Sequence, residues 1–385
     1  MVGRKSKAIL LAIALGIASF VFLMTSHTRA QKQEHQTRST MRWENSDDHL
    51  RMRVEIEGKA EFTDDYTDVR DISQGGYFRV EQDRDGQSRR YEVRRNAGGQ
   101  LERTFYLNGA AHPLDQDART WLSKIVLSAV RQSGIDADKR VQSIMRQRGV
   151  NGVLEEIALV SGSYAKRIYF QALIKNGKLP TTALQNVLRE VARQITSDYE
   201  QAQLLIGVAP ELAGKEGAMP AFFEAIGTIK SDYEHKRVLT ALLKNTTPTH
   251  AALIQTAKSA ARISSDYEKA SVLIAVAGVY LDNRDLSSAF FQTVQTISSD
   301  YEHRRVLSAL LKNGKPNDDV LSRVLNSASS ISSDYEKATL LIEASNTYAG
   351  DARLREGFLQ AAQTIKSDYE RGRVLSTLMK NKQIG

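Results

Sequence analysis

The sequence contains no cysteine among its 385 residues. Disulfides, thiolate metal sites and catalytic thiols are therefore excluded. A large basic surface is also missing, although the formal net charge is +8. Residues 1–40 carry six Lys and Arg side chains against one Glu, a net of +5, so the rest of the chain carries only +3. We expect no nucleic-acid partner, because nucleic-acid binding depends on clustered positive charge.

The common catalytic motifs are missing as well. The sequence has no His-Glu-x-x-His zinc helix, no G-x-S-x-G nucleophile elbow, no P-loop and no G-x-G-x-x-G dinucleotide motif. We therefore predict a protein that is not an enzyme and has no catalytic residue, no cofactor and no metal site.

Two acidic segments could be mistaken for cation sites. Residues 81–92 nearly fit a calcium loop, but Asp85-Gly86 between two alternating segments predicts a hairpin turn. The segment FTDDYTD, residues 62–68, could bind a cation weakly, and a solvated turn is the preferred interpretation.

The N-terminus has the features of an export signal. Three basic residues precede an uncharged, mainly apolar run over residues 8–24, which is long for a signal-peptide core and slightly short for a spanning helix. Residues 1–26 are therefore predicted as a signal-anchor or a signal peptide, and the basic flank favours a cytoplasmic N-terminus. The predicted location is a bacterial inner membrane, single-pass, with most of the chain in the periplasm or another extracytoplasmic space. A secreted or periplasmic protein after signal cleavage is the alternative.

Three further regions differ in their patterns. Polar residues 27–48 predict a linker. Residues 49–113 alternate apolar and charged side chains and predict a small antiparallel β-sheet domain of four or five strands. Residues 114–160 predict connecting helices, the first of which has an apolar stripe that can cover the sheet. The overall fold class is therefore α+β.

The tetrapeptide SDYE recurs every 34 residues, starting at Ser197, Ser231, Ser265, Ser299, Ser333 and Ser367. Ser-x-x-Glu is the capping box of a helix start, in which the serine accepts from a backbone N–H and the glutamate reaches back to the serine N–H. Asp at the first helical position favours the helix dipole. The tetrapeptide thus predicts a helix start in each copy.

Apolar helical stripes on both sides of each copy predict a helix, a tight turn and a second helix. Such hairpins bury their apolar faces only by stacking, and a period of this length is typical of solenoids. Residues 161–385 are therefore predicted as an all-α, HEAT/TPR-like α-solenoid. The segment SGSYAKR, residues 161–167, is interpreted as a degenerate first copy.

A longer period of 68 residues overlies the shorter one. Residues 221–245 and 289–313 match at 18 of 25 positions, and both carry basic residues after SDYE. The intervening copies are more apolar. His235 and His303 occupy the same position in this longer repeat, and a solvated face is the preferred interpretation for both.

Helix capping does not explain the tyrosine of SDYE. The preferred interpretation is structural, with each semi-buried ring packing over the turn or against the next repeat. The alternative is a ladder of tyrosines, with neighbouring arginines, that contacts a partner. The candidate partner-binding residues are Tyr199, Tyr233, Arg237, Tyr267, Tyr301, Arg305, Tyr335 and Tyr369.

Three motifs together carry a resemblance: GKAEFTDDYTDVRDISQGGYF at residues 58–78, PLDQDARTWL at residues 113–122, and the SDYE repeats. The chain resembles the extracytoplasmic region of bacterial membrane proteins with such repeats. Some of those proteins accompany, or are fused to, metallopeptidase regulators of the beta-lactam-sensor type. The resemblance implies a sensing or docking role at the cell envelope, and no catalytic residue carries over because the zinc motif is missing.

The predicted function is that of a non-enzymatic, membrane-anchored extracytoplasmic scaffold that binds a protein partner. The alternative is a sensor or regulatory subunit of an envelope signalling system that acts with a membrane metallopeptidase.

Overall fold

The computed structural model describes residues 38–45, 50–278, 283–313, 317–346 and 352–383. It confirms the predicted α+β class, with an antiparallel sheet followed by consecutive helical repeats. The chain divides into two compact units, the first ending at Ser133 and the second beginning at Gly134. The predicted connecting region 114–160 is therefore divided between the two units.

The predicted signal-anchor or signal peptide, residues 1–26, lies outside the described residues. Among the residues that are described, no helix combines the length and the hydropathy needed to cross a bilayer. The predicted location therefore stays a prediction.

The first unit contains two antiparallel sheets. One has six strands in the order β1-β2-β5-β6-β7-β8, and the other is the β3-β4 pair. The strands are β1 (Arg38–Asn45), β2 (Leu50–Glu57), β3 (Ala60–Phe62), β4 (Val69–Ile72), β5 (Tyr77–Arg84), β6 (Gln87–Arg95), β7 (Leu101–Leu107) and β8 (Ala110–His112). Eight strands exceed the four or five predicted because β3, β4 and β8 are too short to produce a clear alternation of residue types.

Strand β1 corrects the predicted linker 27–48. It pairs with β2 along its whole length, from Arg38 opposite Glu57 to Asn45 opposite Leu50. An edge strand needs only backbone donors and acceptors for this pairing, so a polar composition does not prevent it.

The hairpin between β5 and β6 confirms the predicted turn. Asp85 has φ 50° and Gly86 has φ 81°, so both central residues are in the left-handed region that a type I′ turn requires. Arg84 and Gln87 pair directly on either side. The near-match to a calcium loop is thus a two-residue hairpin turn between strands.

One face of the larger sheet is apolar and covered by the following helix, as predicted. Every second residue of β2 from Met52 to Ile56 is buried on this face. The Trp121 ring lies 5.5 Å from the Phe105 ring, and its Nε1–H donates to Gln82 Oε1 at 2.6 Å. The indole thus buries its apolar body while its one donor is satisfied.

Helices follow the sheet through the rest of the described chain. They are α1 (Gln116–Ser133), α2 (Ala137–Ala158), α3 (Ser163–Gly177), α4 (Thr181–Gln194), α5 (Asp198–Val208), α6 (Met219–Ile226), α7 (Asp232–Asn245), α8 (His250–Ala260), α9 (Asp266–Ala277), α10 (Arg284–Val294), α11 (Asp300–Asn313), α12 (Asp318–Ala328), α13 (Asp334–Ser345), α14 (Ala352–Gln363) and α15 (Asp368–Gln383). Two short 3-10 helices, Ala209–Leu212 and Glu216–Ala218, separate α5 from α6.

From α4 onward the helices form the predicted 34-residue hairpins. The second helix of each hairpin begins at the aspartate of SDYE, and second helices of successive hairpins pack directly against one another. A continuous apolar core runs from Ala137 to Leu378. It includes the isoleucine before each copy: Ile195, Ile229, Ile263, Ile297, Ile331 and Ile365. This stacking is the solenoid arrangement that the period predicts.

Candidate interaction surface

The serine of each SDYE copy caps its helix, as predicted. Ser231 Oγ accepts a hydrogen bond from the Glu234 backbone N–H at 3.3 Å. The same bond is present in the other five copies. The first half of the predicted capping box is therefore confirmed.

The second half of the predicted capping box, in which the motif glutamate accepts from the serine N–H, is wrong. The aspartate of the preceding copy accepts from that N–H instead. Ser265 N–H donates to Asp232 Oδ2 at 2.8 Å, and Ser264 N–H donates to Asp232 Oδ1 at 3.0 Å. We name this contact the aspartate clamp. It recurs at Asp198, Asp266, Asp300 and Asp334. Each clamp ties one repeat to the backbone of the next.

The degenerate first copy makes the same contact with a different residue. Ser163 takes the place of the aspartate, and its Oγ accepts from the backbone N–H groups of Thr196 and Ser197, both at 3.3 Å. These distances are longer than those of the aspartate clamp, which is consistent with a neutral acceptor in place of a charged one. Residues 161–167 therefore belong to the repeat series.

The two repeated histidines are buried, so their predicted solvated face is wrong. His235 Nε2 lies 2.8 Å from Ser259 Oγ, and His303 Nε2 lies 2.8 Å from Ser327 Oγ, in each case in the next hairpin. Burial lowers the pKa of His235 to about 4, and the nearby charge of Arg262 acts in the same direction. Burial also lowers the pKa of His303. Both imidazoles are thus neutral at pH 7.

Lysine takes the place of histidine in two intervening copies and makes an equivalent contact. Lys269 Nζ donates to the Thr296 carbonyl at 3.0 Å, and Lys337 Nζ donates to Thr364 Oγ1 at 2.8 Å. Burial lowers the pKa of Lys337. This position therefore makes a second contact between repeats, through a side chain that differs from copy to copy.

The tyrosines, by contrast, project into solvent. Nine large apolar or aromatic side chains of the described residues are strongly exposed, and seven of them are repeat tyrosines. We name this row the tyrosine ridge: Tyr164, Tyr199, Tyr233, Tyr267, Tyr301, Tyr335 and Tyr369. Their exposed fractions run from 47% to 75%. About half or more of each tyrosine is exposed, and arginines of the following copy lie against the rings of Tyr267 and Tyr335. A structural role and a role in binding therefore both stay predictions for these rings.

Arginine and lysine side chains lie between and over these rings. The Arg305 guanidinium carbon lies 5.5 Å from the Tyr267 ring centre and 5.9 Å from the Tyr301 ring centre, so it connects two successive repeats. Arg237 lies 5.9 Å from the Tyr233 ring centre, on the shared face that the sequence predicts. Such cation–π contacts favour a defined ring orientation.

The motif glutamates pair with these cations in two alternating ways. In the basic copies, which begin at Ser231, Ser299 and Ser367, the glutamate pairs within its own helix, as Glu234 does with Arg237 at 2.6 Å. In the intervening copies the glutamate pairs with the preceding copy, as Glu268 does with Lys236 at 3.0 Å. The remaining pairs are Glu302–Arg305, Glu370–Arg373, Glu200–Arg167 and Glu336–Arg304.

These ion pairs neutralise the positive charges of the basic residues. The basic residues that follow SDYE in the basic copies each have a carboxylate partner on the same row. The row is therefore a line of aromatic rings between neutralised charges, with Arg237 and Arg305 positioned to orient the tyrosines.

The acidic loop of the first unit is a hydrogen-bonded turn. Asp65 accepts from Thr63 and Thr67, and the Thr63 hydrogen bond is the main cause of its lowered pKa. Asp68 Oδ1 accepts from the Tyr91 hydroxyl at 2.7 Å. Within the described ranges, no group of three or more acidic or histidine side chains is placed to hold a metal ion.

Comparison with known proteins gives no match. No protein-family model, curated protein or solved structure matches this chain. The resemblance to the extracytoplasmic region of beta-lactam-sensor-associated membrane proteins therefore stays a prediction.

Proposed function

We propose that this protein is a non-enzymatic interaction scaffold of the bacterial cell envelope, and that a protein partner binds along the tyrosine ridge. The observation that carries the proposal is the repeated exposure of the tyrosines. Tyr233 is 54% exposed and Tyr267 is 57% exposed, while the serine and aspartate beside them complete the turn. Repeating an exposed aromatic ring that the turn does not need favours a role in binding.

The solenoid supports this role by holding the rings in a fixed row. The aspartate clamp fixes each turn relative to the next, and Arg305 contacts rings from two repeats. A partner would therefore meet pre-oriented aromatic side chains, which lowers the entropic cost of binding.

The proposal includes anchoring to the inner membrane through the apolar run 8–24, with the repeats on the extracytoplasmic side. The alternative role as a sensor subunit of a membrane metallopeptidase system stays a prediction, since no contact among the described residues favours it over a scaffold.

Site-specific photo-crosslinking in the native membrane tests the proposal. A benzophenone amino acid replaces Tyr233 or Tyr301 on the ridge in full-length protein, and Lys258 or Gln292 on first helices of hairpins serve as exposed controls. We expect one protein to crosslink from both ridge positions and from neither control. Equal crosslinking from ridge and control positions, or no crosslink from the ridge, would contradict the proposal.

A further inference from the structure

The spacing of the tyrosine ridge restricts what can bind it. Arg305 lies between the rings of Tyr267 and Tyr301, so those ring centres are at most about 11 Å apart, the sum of its two distances to them. The helices that carry them pack directly against one another, and packed helices have axes about 8–10 Å apart. The ridge therefore presents one ring about every 8–11 Å.

Few regular polymers repeat at this distance. A polyproline II helix rises about 3.1 Å per residue with three residues per turn, a repeat of about 9.3 Å. Side chains on one face of a β-strand repeat at only about 6.6 Å. An α-helix repeats at about 5.4 Å per turn or about 10.8 Å over two turns, but most of its carbonyls are already hydrogen-bonded within the helix and cannot accept from the tyrosine hydroxyls. A polyproline II segment lying along the solenoid would therefore place one residue per turn on each ring.

The chemistry of the ridge also fits an uncharged, proline-rich segment. The motif glutamates already pair with Arg237, Arg305, Arg373 and their counterparts, so a charged partner would gain little there. Pyrrolidine rings pack on aromatic faces, and polyproline II carbonyls have no internal donor. The exposed tyrosine hydroxyls can supply that donor.

We infer that the tyrosine ridge binds a proline-rich segment of its protein partner in the polyproline II conformation, with one proline on each tyrosine of successive repeats. The inference rests on the proposed function, since it names the chemistry of the partner. The segment belongs to another protein in this proposal, because this chain has only 6 prolines, scattered singly along it.

Two peptide series test the register directly with full-length protein. In the first series, prolines occur at every third residue of Pro-Gln-Gln repeats. In the second, the same number of prolines occurs at every fourth residue, which moves them off one face of a polyproline II helix. We expect the first series to bind, with Kd falling at least about threefold for each added triplet, since each triplet engages one more ring. The second series should bind at least about tenfold more weakly at equal proline number.

Paired variants assign the binding to the ridge. Tyr267→Ala with Tyr301→Ala should weaken binding of the Pro-Gln-Gln peptide at least about tenfold. The two Tyr→Phe changes keep the rings and lose only the hydroxyl donors, so they should weaken binding less than the Ala changes do. Circular dichroism melts check that the Ala variants fold, which the exposure of the two tyrosines predicts.

Equal binding of both peptide series, or no binding by either, would overturn the inference. If the ridge still crosslinks a protein that the peptide does not displace, the scaffold stands and only the proline-rich partner is wrong.

Discussion

The basic copies and the intervening copies of the repeat share one contact and differ in two. Both kinds carry the aspartate clamp, in which the serine backbone nitrogen lies 2.7 Å or 2.8 Å from an aspartate Oδ2. They differ in the direction of the glutamate ion pair and in the buried residue after it, histidine in two basic copies and lysine in two intervening ones. The 34-residue period thus reflects a backbone requirement, and the 68-residue period reflects side-chain contacts between repeats.

Removing an aspartate clamp should cause the largest effect, in either kind of copy. Asp266→Ala leaves the backbone N–H groups of Ser298 and Ser299 without their acceptor. We expect a loss of roughly 3–5 kcal/mol in local stability, since two bonds to a charged group are lost. Because repeats are coupled mainly to their neighbours, hydrogen exchange of amides around residues 298–303 is the measurement.

Two matched variants sharpen this test. Asp266→Ser should retain part of the stability, because Ser163 makes the same contact in the first copy. Asp368→Ala should change exchange little, since its carboxylate side chain is 96% exposed and pairs only weakly with Arg371 at 3.4 Å. Equal effects at Asp266 and Asp368 would show that the clamp does not carry the stability.

The buried histidines should make the basic copies sensitive to acid. Burial favours the neutral imidazole of His235 and lowers its folded-state pKa to about 4 from the ordinary 6.5. The unfolded chain therefore takes up a proton first as pH falls. The contribution of His235 to the free energy of unfolding is fully present above pH 6.5. It declines as the pH falls from 6.5 to 4, by roughly 3 kcal/mol. Asp232 opposes this shift and Arg262 adds to it.

Replacing the histidine separates this effect from general acid sensitivity. His235→Gln should remove its part of the decline, because glutamine occupies the same position at Gln201 and donates to the next hairpin. Urea unfolding at several pH values between 7 and 4 measures the difference. If the variant and the parent protein lose the same stability over this range, His235 does not control it.

The alternating ion pairs should have smaller and unequal effects. Lys236 and Glu268 join two copies at 3.0 Å, while Glu234 and Arg237 join two turns of one helix. A double-mutant cycle on Lys236–Glu268 should give a coupling of about 1 kcal/mol that weakens with salt. The cycle on Glu234–Arg237 should give a smaller value, near those of other pairs within one helix. Equal couplings would mean that the 68-residue alternation has no energetic role at these positions.

The sequence predicts the repeat architecture better than the contacts inside it. The capping serine and the helical stripes are local signals, and both are confirmed. The aspartate clamp joins residues more than 30 positions apart, so a helix-dipole argument about Asp232 alone could not find it. The fixed 33-residue step from each aspartate to the serine of the next copy is the signal that could have revealed the clamp.

The wrong prediction for the histidines has a physical cause. The sequence predicts His235 in solvent because Lys and Arg surround it, whereas the fold buries it. In the fold the helix projects Tyr233 outward and His235, two residues later, into the next hairpin. The type of residue does not determine its burial here. Burial depends on whether the side chain projects from the helix face that packs against the next repeat.

Truncating a tyrosine should have the smallest effect on stability and the clearest effect on binding. Tyr267→Ala removes a ring that is 57% exposed and contacts Arg305 at 5.5 Å. We expect a loss below about 1 kcal/mol, the value of a solvent-exposed cation–π contact, in thermal unfolding. Tyr267→Phe keeps the ring and should cost less. A loss of several kcal/mol for the Ala variant would show that the ring stabilises the fold. Its repetition would then be explained by stability and would no longer be an argument for binding. A small loss would leave binding as the reason that the third residue of SDYE is always tyrosine.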